Sequence, residues 1–300
     1  MTLSQIPHGA VMPPVLWTRG EGCAELAALL SDVEPVRVVG ALAEACISTR
    51  AEMVVSRKLP GNFDLASILV PAEFVPGKIE TVVAAVAGGP NSEMAARVAS
   101  RLSAALEVKA FMACAFQDDE SRDEAISTIE QLFEKVPELE YRVVEARSAE
   151  ELVAQLPPGS ALVLGAPGGN WFQRTIFGQG AKLRQKAEAG AVIVREAPLR
   201  VFHRMTDPVF VGPLREAVDT LRFHAEEILA VVDRSRLIGV VRRSALMVAE
   251  PGVPVSKLME EPLSVRLDAL LTEADTQREF FGESPIPVVD EDGRLVGGLV

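Results

Sequence analysis

Between residues 79 and 198 the apolar positions alternate between two periods. The runs 79–86, 108–116, 141–144, 161–164 and 191–194 are mostly apolar and of strand length. Short apolar runs bounded by glycine suit strands buried on both faces. Between them the period becomes helical. Met94, Val98, Leu102 and Ala105 recur behind Asn91 or Ser92, either of which is expected to cap a helix. Ala125, Ile129, Leu132 and Val136 mark one face of a helix over 121–136. Ser148 and Glu151 form a capping box opening a short helix to Leu156, and 181–189 is a further helix stopped by Gly190. Five strands alternating with four helices predict one doubly wound, mainly parallel α/β sheet over 78–198. In such sheets ligands bind beyond the carboxyl ends of the strands, where Ala87-Gly88-Gly89 and the glycines from Gly165 onward lie.

Residues 1–77 show a weaker alternation. The pattern predicts strands at 15–17, 36–39 and 52–55 and helices at 22–30 and 42–47. Leu59-Pro60-Gly61-Asn62 and 71–78 read as turns or linker. The segment is expected to be a small α/β extension or degenerate module packed on the next domain, and no motif in it carries chemistry.

From 199 onward a unit repeats. Each copy reads strand, helix, strand, tight turn, strand, and the strand–turn–strand parts match best. Ile228 to Asp233 with Ser235 to Val241 is echoed by Ile286 to Asp290 with Asp292 to Gly298. The Asp233-Arg234-Ser235 and Asp290-Glu291-Asp292-Gly293 stretches are hairpin signals between apolar runs. A repeat of about 50 residues implies that each copy buries its apolar face against the other.

Composition narrows the function classes. A net charge of −12 argues against nonspecific binding to nucleic acid or to an acidic membrane. No apolar run approaches the ~18 residues of a membrane span, and no basic segment leads an apolar core near Met1, so a cytoplasmic protein is expected. Cys23, Cys46 and Cys114 are widely spaced and suit buried positions in a reducing compartment. His8, His203 and His224 lack acidic or Cys neighbours at ligand spacing, so no metal site is expected. Neither a Ser-His-Asp nor a Cys-His arrangement appears, and the acid groups at 118–120 and 260–261 read as solvated turn charges rather than an acid–base pair.

The glycine loop is the strongest chemical signal. Gly165-x2-Gly168-x9-Gly178 sits between a strand and a helix, where backbone N–H groups and a helix N-terminus together cradle a phosphate. Spacing and order over about 120 residues resemble a universal stress protein domain. That resemblance implies ATP held at the end of the first strand and along the loop, which carries over to Gly88, Gly165, Gly168 and Gly178. The chain departs from the family at two positions. Ala87 stands where an Asp contacts the nucleotide, and Gln179 where a Ser or Thr donates to phosphate. Gln179 still offers an amide donor, and Gly180 lets the backbone approach. Arg174, Lys182 and Arg184 read more readily as a solvated helix face than as added binding charge.

The repeat resembles a tandem pair of CBS domains, a Bateman module. Ile286-Pro287-Val288-Val289-Asp290 and Arg294-Leu295-Val296-Gly297 carry the likeness, echoed by Val231-Val232-Asp233 and Leu237-Ile238-Gly239. Such pairs bind adenine nucleotides or S-adenosylmethionine and regulate an attached or partner protein. In the first copy Arg242 and Ala245 stand where the family carries Thr or Ser and Asp, and the second copy stops at Val300, before that motif. Arg242 is a candidate phosphate contact or a solvated helix start.

Together these readings predict domains at 1–77, 78–198 and 199–300. They describe a cytoplasmic, dimeric, non-enzymatic stress-response regulator sensing ATP or another adenine nucleotide, without a metal, with a possible regulated partner protein. The alternatives are a slow ATP hydrolase using the Gly165–Gly178 loop and a ligand-free dimerising scaffold.

Overall fold

The computed structural model of the chain describes residues 13–147, 149–166, 187 and 189–300. They divide into two compact units, Met1–Ala197 and Pro198–Val300.

The first unit is mixed α/β and built on one nine-stranded sheet. Its strands are β1 (Leu16–Trp17), β2 (Val36–Arg37), β3 (Met53–Val55), β4 (Ser67–Ala72), β5 (Thr81–Val86), β6 (Lys109–Phe116), β7 (Glu140–Glu145), β8 (Ser160–Gly165) and β9 (Ala191–Arg195). They lie in the order β2-β1-β3-β4-β9-β8-β5-β6-β7. Every neighbouring pair is parallel except β4 with β9. The sheet is therefore two parallel halves joined antiparallel at their last strands. Outward from the join, each half runs last strand, penultimate strand, first strand, second strand. The N-terminal half stops there, whereas the other continues to β7.

Among the described residues the helices are α1 (Glu21–Leu30), α2 (Leu42–Thr49), α3 (Pro90–Leu106), α4 (Asp119–Lys135) and α5 (Ala149–Ala154). Val82, Ala84 and Val86 of β5 pack into one core with Leu26, Leu102 and Ile129. Val83 and Ala85 pack into a second with Phe111, Leu152 and Leu162. Side chains alternate between the faces of a strand, so a strand buried on both faces must be apolar at every position. That requirement explains the unbroken apolar run at 82–86. Helix α4 begins two residues before the expected Ser121. The Asp118 carboxylate accepts the Ser121 N–H at 2.9 Å, and the Ser121 hydroxyl accepts the Asp118 N–H at 3.1 Å, closing a capping box. The helix expected over 181–189 and the Ser148 cap fall outside the described residues or at their margin.

Strand β4 contradicts the expectation of turn or linker from 71 onward. Pro71 sits inside it, paired with Val192 of β9. β3 pairs with β4 only as far as Leu69, so Pro71 lies beyond that ladder and its missing N–H breaks no bond to β3.

The second unit contains two small sheets, β10-β16-β15-β14 and β11-β12-β13. The strands are β10 (Met205–Thr206), β11 (Phe210–Val211), β12 (Ile228–Asp233), β13 (Arg236–Arg242), β14 (Val265–Arg266), β15 (Ile286–Val289) and β16 (Leu295–Leu299). Helices α6 (Ala217–Phe223), α7 (Arg243–Met247) and α8 (Leu271–Phe281) complete the copies. The copies exchange their leading segments. β10, which precedes the first copy, pairs with β16 of the second. Glu260, which precedes the second, bridges to Val240 of β13 in the first. The glycines of the repeat make this exchange possible. A Cβ on Gly239 would stand 2.6 Å from the Glu260 carbonyl oxygen, and one on Gly297 would stand 3.0 Å from that of Thr206. The hairpin tips also meet, with Leu295 N–H donating to Ser235 O at 2.8 Å and Leu237 N–H to Gly293 O at 3.1 Å.

Candidate functional site

In the C-terminal half of the large sheet the chain leaves β5 toward β6 and returns on its other side at β8. The crevice between the carboxyl ends of β5 and β8 is thus the switch point of the sheet. Gly88 and Gly165 flank it as expected from the strand ends. Gly88 (φ +85°) and Gly89 (φ +78°) turn the chain from β5 into α3 in a conformation only glycine adopts freely. Gly168, Gly178, Gln179 and Gly180 lie outside the described residues, as do Arg174, Lys182 and Arg184.

Asn91 does not cap α3; the cap position is Gly89, which has no side chain to offer. Instead the Asn91 amide nitrogen donates to Ala166 O at 3.0 Å and its amide oxygen accepts the Glu196 N–H at 2.8 Å. One side chain thereby ties the carboxyl ends of β5, β8 and β9 together. Gly165 is required for this approach, because a Cβ there would stand 3.0 Å from Asn91 Cβ. Ser92 is likewise no cap. It is buried, donates to Gly88 O at 2.8 Å and accepts the Ala87 N–H at 3.1 Å, which fixes the turn at the end of β5.

Beside the crevice stands a charged cluster. Glu93 accepts from Arg97 at 2.6 Å and from Lys135 at 2.7 Å. Burial pushes its carboxyl up, but the hydrogen bonds and charges of Lys135 and Arg97 outweigh burial and hold it below the ordinary range. Glu196 keeps an exposed face. Partial desolvation, with the nearby Glu93 charge, raises its carboxyl against the opposing pull of Arg97 and Lys135. Cys23, Cys46 and Cys114 are all buried, and desolvation pushes the Cys46 and Cys114 thiols up to about 12, so neither is a nucleophile. Among the described residues no group of three His, Cys, Asp or Glu is placed to hold a metal ion.

In the second unit a cleft of about 710 Å³ lies where the two copies meet. The first copy contributes Glu226, Glu227 and Arg242, and the second contributes Glu279, Phe280 and Glu283. Its walls are fixed from below. Helix α8 ends because Gly282 takes φ +57° and Arg278 donates to Gly282 O at 3.2 Å, Ser284 O at 3.3 Å and Leu299 O at 3.0 Å. The Ser284 hydroxyl accepts the Ile228 N–H at 3.0 Å, joining the second copy's loop to the start of β12. Over about a third of its length the chain is similar to solved CBS-domain pairs. The CBS-pair protein CBSX2 from Arabidopsis thaliana is 27% identical over 34% of this chain and 87% of that one, with a TM-score of 0.30. The CBS pair of MJ0100, solved with 5′-methylthioadenosine and S-adenosylmethionine, is 16% identical over 34% and 92%, with a TM-score of 0.29. The cytosolic domain of the Mg2+ channel MgtE, solved with ATP, is 30% identical over 34% of this chain, which spans 45% of that domain, with a TM-score of 0.31. No protein-family model matches the chain. The search of curated proteins also found no match.

Arg242 stands at the N-cap of α7 with its side chain partly exposed. Its Nε donates to Glu260 at 2.9 Å, and its guanidinium carbon lies 4.3 Å from the centre of the Phe280 ring. It therefore links the first copy, the exchanged segment and the second copy at the cleft. Arg243, its neighbour, turns away and donates to His224 O at 2.8 Å. Sequence reasoning missed Asn91 as a bridge, Glu226 and Phe280 as cleft residues, and Arg278 as the donor that fixes the loop after α8. Only Phe280-Phe281 carried a signal, an adjacent aromatic pair of which one member must leave the helix's core face.

Proposed function

We propose that the chain is a cytoplasmic regulatory protein without catalytic activity, sensing an adenosine compound in the cleft of a CBS-type pair. The observation that carries this reading is the cleft itself. Both copies of the repeat build it, and an aromatic ring, Phe280, stands in its wall beside Arg242. A ligand there touches both copies at once and biases their packing, which is a population shift rather than chemistry. The universal stress protein likeness of the first unit is part of the same proposal, with the β5–β8 crevice as its ligand position. There a second reading, a scaffold without ligand, has its own support, because Asn91 already bridges the three strand ends that border the crevice.

Thermal unfolding of the full chain with ATP, ADP, AMP and S-adenosylmethionine tests the proposal. At 100 times its dissociation constant a ligand stabilises its unit by about 2.7 kcal/mol, a shift of several degrees. A saturable shift with one of these compounds is expected. No shift with any of them would reject sensing and leave the scaffold reading for both units.

A further inference from the structure

The helix that walls the cleft also clasps the segment entering the second unit, a coupling that deepens the sensor reading and rests on it. α8 presents Glu279 and Phe280 to the cleft, and the loop after it adds Gly282, Glu283 and Ser284. The amino end of α8 is held by the segment that follows Pro198. Leu271 N–H donates to Leu199 O at 2.9 Å, Val201 N–H to Ala269 O at 3.0 Å and Phe202 N–H to Leu267 O at 2.9 Å. The same segment continues into β10, whose Met205 pairs directly with Leu299 of β16. Arg278 joins the two ends. It donates to Gly282 O and Ser284 O in the cleft wall and also to Leu299 O, the residue paired with Met205. Val201, Ala274, Phe281 and Leu299 share one buried core, so entering segment, helix and strand are packed together. A close-packed interior transmits a displacement rather than absorbing it. We propose that α8 relays occupancy of the cleft to residues 199–206, with Arg278 as the positioning residue that ties the cleft wall to β16.

The experiment is hydrogen–deuterium exchange of the full chain, alone and with AMP, ATP or S-adenosylmethionine as the probe. Residues 279–284 report the cleft and residues 199–206 report the relay. At about 100 times its dissociation constant, a probe that binds is expected to slow exchange at 279–284 by up to about 100-fold. The relay predicts that the same probe slows exchange at 199–206 by about fivefold or more. Arg278 lies outside the cleft lining, so Arg278→Gln is expected to keep the protection at 279–284 and lose that at 199–206. Arg278→Lys is the second variant. It keeps a cation for the carbonyls that end α8, which supports folding, but its compact ammonium lacks the fork that spans the loop and β16 together. It is expected to lose the response at 199–206 as well. Protection at 279–284 with no change at 199–206 in the unaltered chain overturns the relay and leaves the sensor reading standing. A response at 199–206 that survives in both variants also overturns it, because the coupling then bypasses Arg278. Variants that lose the protection at 279–284 overturn it too, since Arg278 then only shapes the cleft. If no probe protects 279–284 in the unaltered chain, the sensor reading falls and the relay with it.

Discussion

At Gly239 a missing side chain decides how two copies of a repeat can join. The Glu260 carbonyl oxygen crosses where a Cβ would be, at 2.6 Å, and Met259 Sδ follows at 3.1 Å. The Met259 side chain can shift, but the carbonyl belongs to a bridge in which Val240 and Glu260 exchange hydrogen bonds. Gly239→Ala must therefore push β13 and the exchanged segment apart. The expected cost is about 1–3 kcal/mol, typical of overpacking, and each kcal/mol lowers the melting temperature of a unit this size by about 4–8 °C. Gly212→Ala is the control. A Cβ there meets nothing within 4 Å, so a change within about 0.5 kcal/mol is expected. Comparing the two variants by thermal melts separates overpacking from any general intolerance of glycine loss. The glycine in Leu237-Ile238-Gly239 was legible as part of a repeat, but its reason was not, because Glu260 is twenty-one residues away. Asn91 shows the same limit. An Asn before an amphipathic run reads as a cap, and only the fold brings Ala166 O and the Glu196 N–H within its reach.

At the scale of elements, the two hairpins of the repeat solve one problem with different residues. In the second, Gly293 takes φ +75°, and the Asp290 carboxylate accepts the N–H groups of Asp292 at 3.0 Å and Arg294 at 2.8 Å. In the first, Arg234 (φ 47°) and Ser235 (φ 71°) both occupy the left-handed region, where a Cβ is strained. Two consecutive left-handed residues match the strand twist of a two-residue turn, which is why Asn-Gly is the favoured pair there. Ser235→Gly, or Arg234→Asn with Ser235→Gly, is expected to stabilise the second unit by about 0.5–1 kcal/mol, measured as a higher denaturant midpoint at unchanged slope. The backbone oxygen of Ser235 that accepts from Leu295 is kept by either change. Elements set by local pattern were legible in this way: the hairpins, α3, α4 and the buried strands of the C-terminal half-sheet all follow from period and turn residues. β4 was not, since Pro71 marks a break locally and becomes tolerable only beyond the end of the β3 ladder.

At the scale of the whole molecule, that missed strand changes what the N-terminal segment does. Residues 13–72 supply β1 to β4, and β4 covers the full length of β9 from Ala191 to Arg195. β9 is Ala-Val-Ile-Val-Arg, with its first four residues buried. Without β4 it would present an unpaired, apolar edge, the arrangement most prone to pair with another chain. Deleting residues 1–77 is therefore expected to yield a chain that self-associates rather than a tidy two-part protein. Light scattering after size-exclusion chromatography should show the deleted chain shifted to higher mass than the full chain at equal concentration. A deleted chain that kept the full chain's association state and cooperative unfolding would show that β9 needs no cover, and that the N-terminal half-sheet is an appendage. The antiparallel β4–β9 pairing argues otherwise. It joins two parallel halves of matching winding through the most apolar edge either one has, so neither is complete while that edge is open.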